Sequence, residues 1–116
     1  MAVRFYTSDP RALLEAIYKG IDGGHVATWA YDKDGDFSHS PDQWKGLAWL
    51  KPSVETDSLL LTILPPQGKN VSVLAYAVYH GRFVEMVLNH FDTFFSASYV
   101  SALAMPTLGD VITGNS

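Results

Sequence analysis

Apolar residues recur across 71–95 at a spacing that suits one long helix. In VSVLAYAVYHGRFVEMVLNHFDTFF, Tyr76, Phe83, Val87 and Phe94 fall on one side. Val73, Val84, Leu88, Phe91 and Phe95 widen that side into a broad stripe, while Arg82, Glu85, Asn89 and Asp92 fall on the other. That division predicts a helix packed on a core. The same residues permit a rival reading, in which 71–79, rich in Val and Tyr, is a fifth strand and the helix starts near Gly81. Gly81 costs a helix interior roughly 1 kcal/mol relative to Ala. Apolar residues fill nearly every position there, so periodicity alone does not choose; we read one helix.

Upstream, Val3 to Tyr6 has the length of a short strand. Asp9 and Pro10 open a helix, because Asp caps and the missing N–H of Pro is harmless at the first helical position. Leu13, Leu14, Ile17, Tyr18 and Ile21 recur at helical spacing, and Gly20 and Gly23-Gly24 end the run, giving a helix over 10–21. His25 to Tyr31 reads as a strand with Trp29 and Tyr31 on one face. Asp34-Gly35 is a hairpin signal that returns the chain through 37–39. A two-residue turn there sets Trp29 against Ser40 and Ala30 against His39. Ser40-Pro41-Asp42-Gln43 resembles a capping box opening one helical turn that holds Trp44 and stops at Gly46. A third long strand covers 47–54, bent or placed at an edge by Pro52. The run LLLTIL within 58–64 suggests a central strand covered on at least one face. Residues 65–70 form a loop, 96–108 are ambiguous between strand and docked coil, and 109–116 read as a frayed tail.

The expected fold is therefore α+β and two-layered. An antiparallel meander of about four strands carries an N-terminal helix and a long C-terminal helix on one face, in a single domain spanning 1–108.

Composition narrows the function classes. The chain is 47% hydrophobic and 17% charged, with a formal net charge of −4, which suits a packed globular domain and lacks the basic footprint of a nucleic-acid binder. The absence of cysteine excludes disulfides, thiol catalysis and cysteine-bound metals. No apolar run reaches signal-peptide or membrane-span length, so the expectation is a cytoplasmic protein with no membrane partner.

Asp32-Lys33-Asp34-Gly35-Asp36 matches the start of a calcium-binding EF-hand loop. The match fails where Phe37 replaces the turn Gly and Gln43 the bidentate Glu, so it reads as a solvated hairpin turn. None of the four histidines, His25, His39, His80 and His90, lies three or four residues from another, so no metal or cofactor is assigned. His80-Gly81-Arg82 is the most suggestive tripeptide. His80 sits in the apolar stripe, where a buried imidazole needs hydrogen-bond partners. It reads either as a satisfied core residue or as a general base, with Arg82 as anion clamp and Glu85 or a Tyr as the orienting group. Trp29, Trp44, Trp49 and Tyr79 are the aromatic candidates for contact with a ligand or partner. The preferred function is a binding module acting as a homodimer, its partner being itself, another protein or a small molecule. The alternative is a small hydrolase-like enzyme using His80, Arg82 and Glu85.

Overall fold

The computed structural model describes residues 2–102. Strand β1 (Ala2–Tyr6) leads into helix α1 (Pro10–Asp22). Asp9 caps α1 by accepting the Ala12 N–H at 3.1 Å, and the Gly23 N–H closes it on the Lys19 carbonyl at 2.9 Å. Strands β2 (Trp29–Tyr31), β3 (Phe37–His39), β4 (Trp49–Val54) and β5 (Ser58–Leu64) follow. Helix α2 (Val73–Phe91) is capped by Ser72, whose hydroxyl accepts the Ala75 N–H at 2.9 Å. A 3-10 turn (Asp92–Phe94) then leads to β6 (Ala97–Val100).

The sheet has six antiparallel strands in the order β2-β3-β4-β5-β1-β6. This corrects the expectation of about four strands. The meander β2 to β5 is present, but β1 pairs with β5 and β6 adds outside β1. The chain therefore ends its described part in a strand and not in the long helix. The register explains β1: Val3 lies against Leu61 and Phe5 against Leu59, so two apolar rows merge. Strand β6 is short and exposed along its whole length, so no alternation marked it in the sequence. Residues 103–108 of the ambiguous segment and the 109–116 tail lie outside the described residues. Strand β2 begins at Trp29 instead of His25, and β4 at Trp49 instead of Leu47.

Val3, Phe5, Leu50, Leu59, Leu61 and Ile63 share one sheet face and are fully buried, in one cluster with Leu13 and Ile17 of α1 and Tyr79, Phe83 and Val87 of α2. Each such side chain contributes about 1.5–3 kcal/mol by leaving water. Residues 71–79 are not a strand, since helix begins at Val73. The buried side of α2 carries Ala75, Tyr76, Tyr79, His80, Phe83, Met86, Val87 and Phe91. Val73, Leu88 and Phe94, expected in the core stripe, are exposed, as is Leu74. A helix with apolar residues around most of its circumference can turn only one side to a single sheet, and the bulkiest side took it. No described helix is long and apolar enough to cross a membrane.

Candidate functional site

The register of the β2–β3 hairpin builds the site. Trp29 pairs with His39, Ala30 with Ser38 and Tyr31 with Phe37. This corrects the expected two-residue turn by one position. The Asp32 N–H donates to the Asp36 carbonyl at 3.0 Å and the Gly35 N–H to the Asp32 carbonyl at 2.9 Å, with Gly35 at φ 84°. That is a three-residue loop whose Gly takes the left-handed position. Asp32 holds it further, its Oδ1 accepting from Asp34 N–H at 2.9 Å and Asp36 N–H at 3.0 Å. A one-residue slip flips every side chain of a strand. The observed register therefore turns His39 to the same face as Trp29.

There the two rings meet at 4.6 Å between centroids, tilted by 33°. Tyr79 stands edge-on to both, at 5.7 Å from Trp29 and 6.0 Å from His39. Its hydroxyl donates to the Trp44 carbonyl at 2.5 Å, tying the 41–46 turn to α2. Between this turn, the hairpin and α2 lies a cleft of about 370 Å³. Val26, Trp29 and Met86 are its buried apolar lining, Trp44 is half-buried, and Arg82, Glu85, Asn89 and His90 are exposed polar residues of α2 along it.

His39 is the titratable group set deepest in this cleft, with 5% of its surface exposed. Its Nδ1 lies 2.9 Å from the Thr28 carbonyl, which can only accept, so Nδ1 carries the proton of the neutral ring. No buried side-chain nitrogen or oxygen among the described residues lacks a hydrogen-bond partner, and the one bond of His39 is through Nδ1, so Nε2 opens to solvent in the cleft. Burial pushes its pKa below the ordinary histidine value; the Thr28 carbonyl opposes this, Arg82 adds to it and Glu85 opposes it. The result is a fixed tautomer with a lone pair facing the cleft, in a ring that resists protonation. Arg82 Nη1 reaches both carboxylate oxygens of Glu85 at 3.2 Å, leaving its other N–H groups for a ligand.

The residues singled out in the sequence separate. Trp29, Trp44, Arg82 and Glu85 come together at the cleft. Tyr79 supports it from behind, fully buried. Trp49 lies opposite Leu64, on the sheet face away from the helices. His80 is 1% exposed and does not line the cleft; its Nδ1–H donates to the Tyr76 carbonyl at 2.6 Å, one turn back in α2. The residue that sequence reasoning passed over is His39. Its only signal was its place in the hairpin, and the assumed register turned it to the wrong face.

Asp32, Asp34 and Asp36 bring one ligand atom each within 4.8 Å of one another. Asp32 already spends an oxygen on backbone N–H groups. Burial, then Asp32 and Asp34, raise the pKa of Asp36. The hydrogen bonds of this cluster account for it as a hairpin turn. Compared with protein-family models, with curated proteins and with solved structures, the chain matches none.

Proposed function

We propose that this protein is a binding module whose ligand seats in the cleft between the β2–β3 hairpin and α2. The observation that supports this most is the join of an apolar, aromatic floor to a short row of polar groups in one concavity: Trp29, Trp44 and Met86 below, Arg82 and the open Nε2 of His39 beside them. The lining is more polar than apolar, so the aromatic floor supplies the contact area and the polar groups along it set the orientation of a bound molecule. The matching ligand is small, with a flat apolar body and one anionic group. The body stacks on Trp44, and the anion meets the guanidinium of Arg82. A net charge of −4 disfavours polyanions, whereas a single carboxylate is matched by Arg82 locally.

The test is a titration with benzoate and larger aromatic carboxylates, followed by amide and indole NMR shifts. Shifts confined to Thr28, Trp29, His39, Trp44, Arg82 and Glu85 are expected, and Arg82→Gln should weaken binding by about tenfold or more, the cost of a lost charge-assisted hydrogen bond. No shifts at millimolar ligand, or shifts centred elsewhere, would refute the proposal.

The fixed tautomer of His39 favours a second reading, hydrolysis, with Nε2 as general base and Arg82 as anion clamp. His80 does not suit that role, because solvent barely reaches it. Turnover of an ester ligand that His39→Gln abolishes without loss of affinity would identify an enzyme.

A further inference from the structure

We propose that the outward face of α2 is the contact through which two copies of this chain associate, their α2 helices crossing antiparallel at Gly81. The face is defined by position. Leu74, Ala77, Val78, Gly81, Glu85 and Leu88 fall within about 60° of one line along the helix, opposite the buried side. A solvated helix surface is normally polar. Here Leu74 is 64% exposed and Leu88 50%. A Cβ added at Gly81 would meet nothing within 4 Å, so the middle of the stripe is open to close approach.

The pattern suits a second copy in particular. Leu74 and Leu88 each lie seven residues from Gly81, one on either side. An antiparallel copy crossing at Gly81 therefore sets Leu74 beside the partner's Leu88, and the reverse, as an isologous two-fold contact demands. By the same symmetry Ala77 lies beside the partner's Val84 along one edge. Along the other edge run Arg82 and Glu85 of both copies. Five residues of rise, about 7.5 Å, separate Arg82 from the partner's Glu85 along the axis, within reach of two long side chains. The intrachain pair at 3.2 Å can thus be shared across the axis, so the charges of the face complement themselves. A single helix pair is small beside the roughly 1,200 Å² of standard stable interfaces, so association on the order of 10 µM is expected. The contact meets the cleft at Arg82 and Glu85, which line it, whereas Leu74 and Leu88 do not, so the leucine variant tests the contact without altering the cleft.

Sedimentation equilibrium of the full chain tests it, with circular dichroism to verify that each variant is folded. The wild-type mass should rise with concentration from 12.8 kDa toward twice that value. Leu74→Glu/Leu88→Glu changes only exposed side chains and should weaken association by about a hundredfold or more. Arg82→Glu and Glu85→Arg should each weaken it alone, and an equimolar mixture of the two should recover it as a heterodimer. A wild-type mass of 12.8 kDa at every concentration would overturn the proposal. So would undiminished association of the Leu74→Glu/Leu88→Glu protein, which would point to another surface such as the β6 edge, or a mixture no tighter than its components.

Discussion

Phe83→Ala is expected to remove about 3–5 kcal/mol of stability, the range for truncating a fully buried aromatic ring. Phe83 has no exposed surface, and its ring joins three parts of the fold. It stands edge-on to Trp29 at 5.0 Å, tilted to Phe37 at 5.1 Å and tilted to Phe5 at 6.1 Å. It thus ties α2 to the hairpin and to central strand β1, and it backs the tryptophan that floors the cleft. Domains of this size hold about 5–15 kcal/mol in total, so the variant would sit close to unfolding. Phe83→Leu keeps much of the volume and should lose less. Urea unfolding of the three proteins measures the difference. A loss below about 1 kcal/mol for Phe83→Ala would mean that the ring contacts do not carry the core, because exposed substitutions cost that little.

Gly35→Ala is expected to cost about 2–3 kcal/mol, from two sources. The backbone at Gly35 is left-handed, at φ 84°, which disfavours a residue with Cβ by about 1–2 kcal/mol. The new methyl would also stand 2.6 Å from the Tyr18 hydroxyl. That hydroxyl is not free to swing away: it donates to the Gly35 carbonyl at 2.7 Å, and its ring stacks on Phe37 at 5.2 Å. A double-mutant cycle separates the two effects. Tyr18→Phe removes the oxygen, so adding Gly35→Ala to it should cost less than in the wild type, leaving mainly the backbone term. Strict additivity of the two substitutions would contradict the contact. Because this loop sets the register that brings His39 beside Trp29, Gly35→Ala should also weaken ligand binding at the cleft.

The fold was largely legible where local chemistry decides. Asp9-Pro10 announced the start of α1, and the apolar run within 58–64 announced a central strand. The helical reading of 71–95 was correct to within a few residues at each end. Strand β1 was legible to within a residue, but its place beside β5, and strand β6 itself, were not, because they are set by partners, Leu59 and Leu61 for one and Arg4 and Phe5 for the other. The buried side of α2 was read correctly at Tyr76, Phe83, Val87 and Phe91. Its exact rotation was hidden for a different reason, and Val73 and Leu88 were misplaced. With apolar residues nearly all around it, only the sheet's demand for Tyr79, Phe83 and Val87 fixed which side turned inward. The cleft was half legible. Arg82, Glu85, Trp29 and Trp44 stood out as residue types. His39 did not, since a Gly at the third loop position and an Asp that caps two N–H groups moved the register by one residue.

His39 also gives the cleft a pH signature. Its pKa is lowered in the folded chain, so the unfolded chain takes up a proton near pH 6.5 that the folded chain refuses. Stability contributed by this residue is therefore present above that pH and is lost as the pH falls through it, and His39→Gln should flatten that part of the profile. The most direct test of the ligand cleft reads the imidazole itself. Long-range ¹H–¹⁵N spectra of histidine-labelled protein, recorded from about pH 4.5 to 8 with and without benzoate and assigned by His39→Gln, report the tautomer and midpoint of His39. The expected result is an Nδ1–H ring that stays neutral below pH 6.5 in the free protein, with Nε2 shifted by benzoate. A ring that protonates at or above the ordinary histidine value and ignores the carboxylate would contradict the cleft as the binding site.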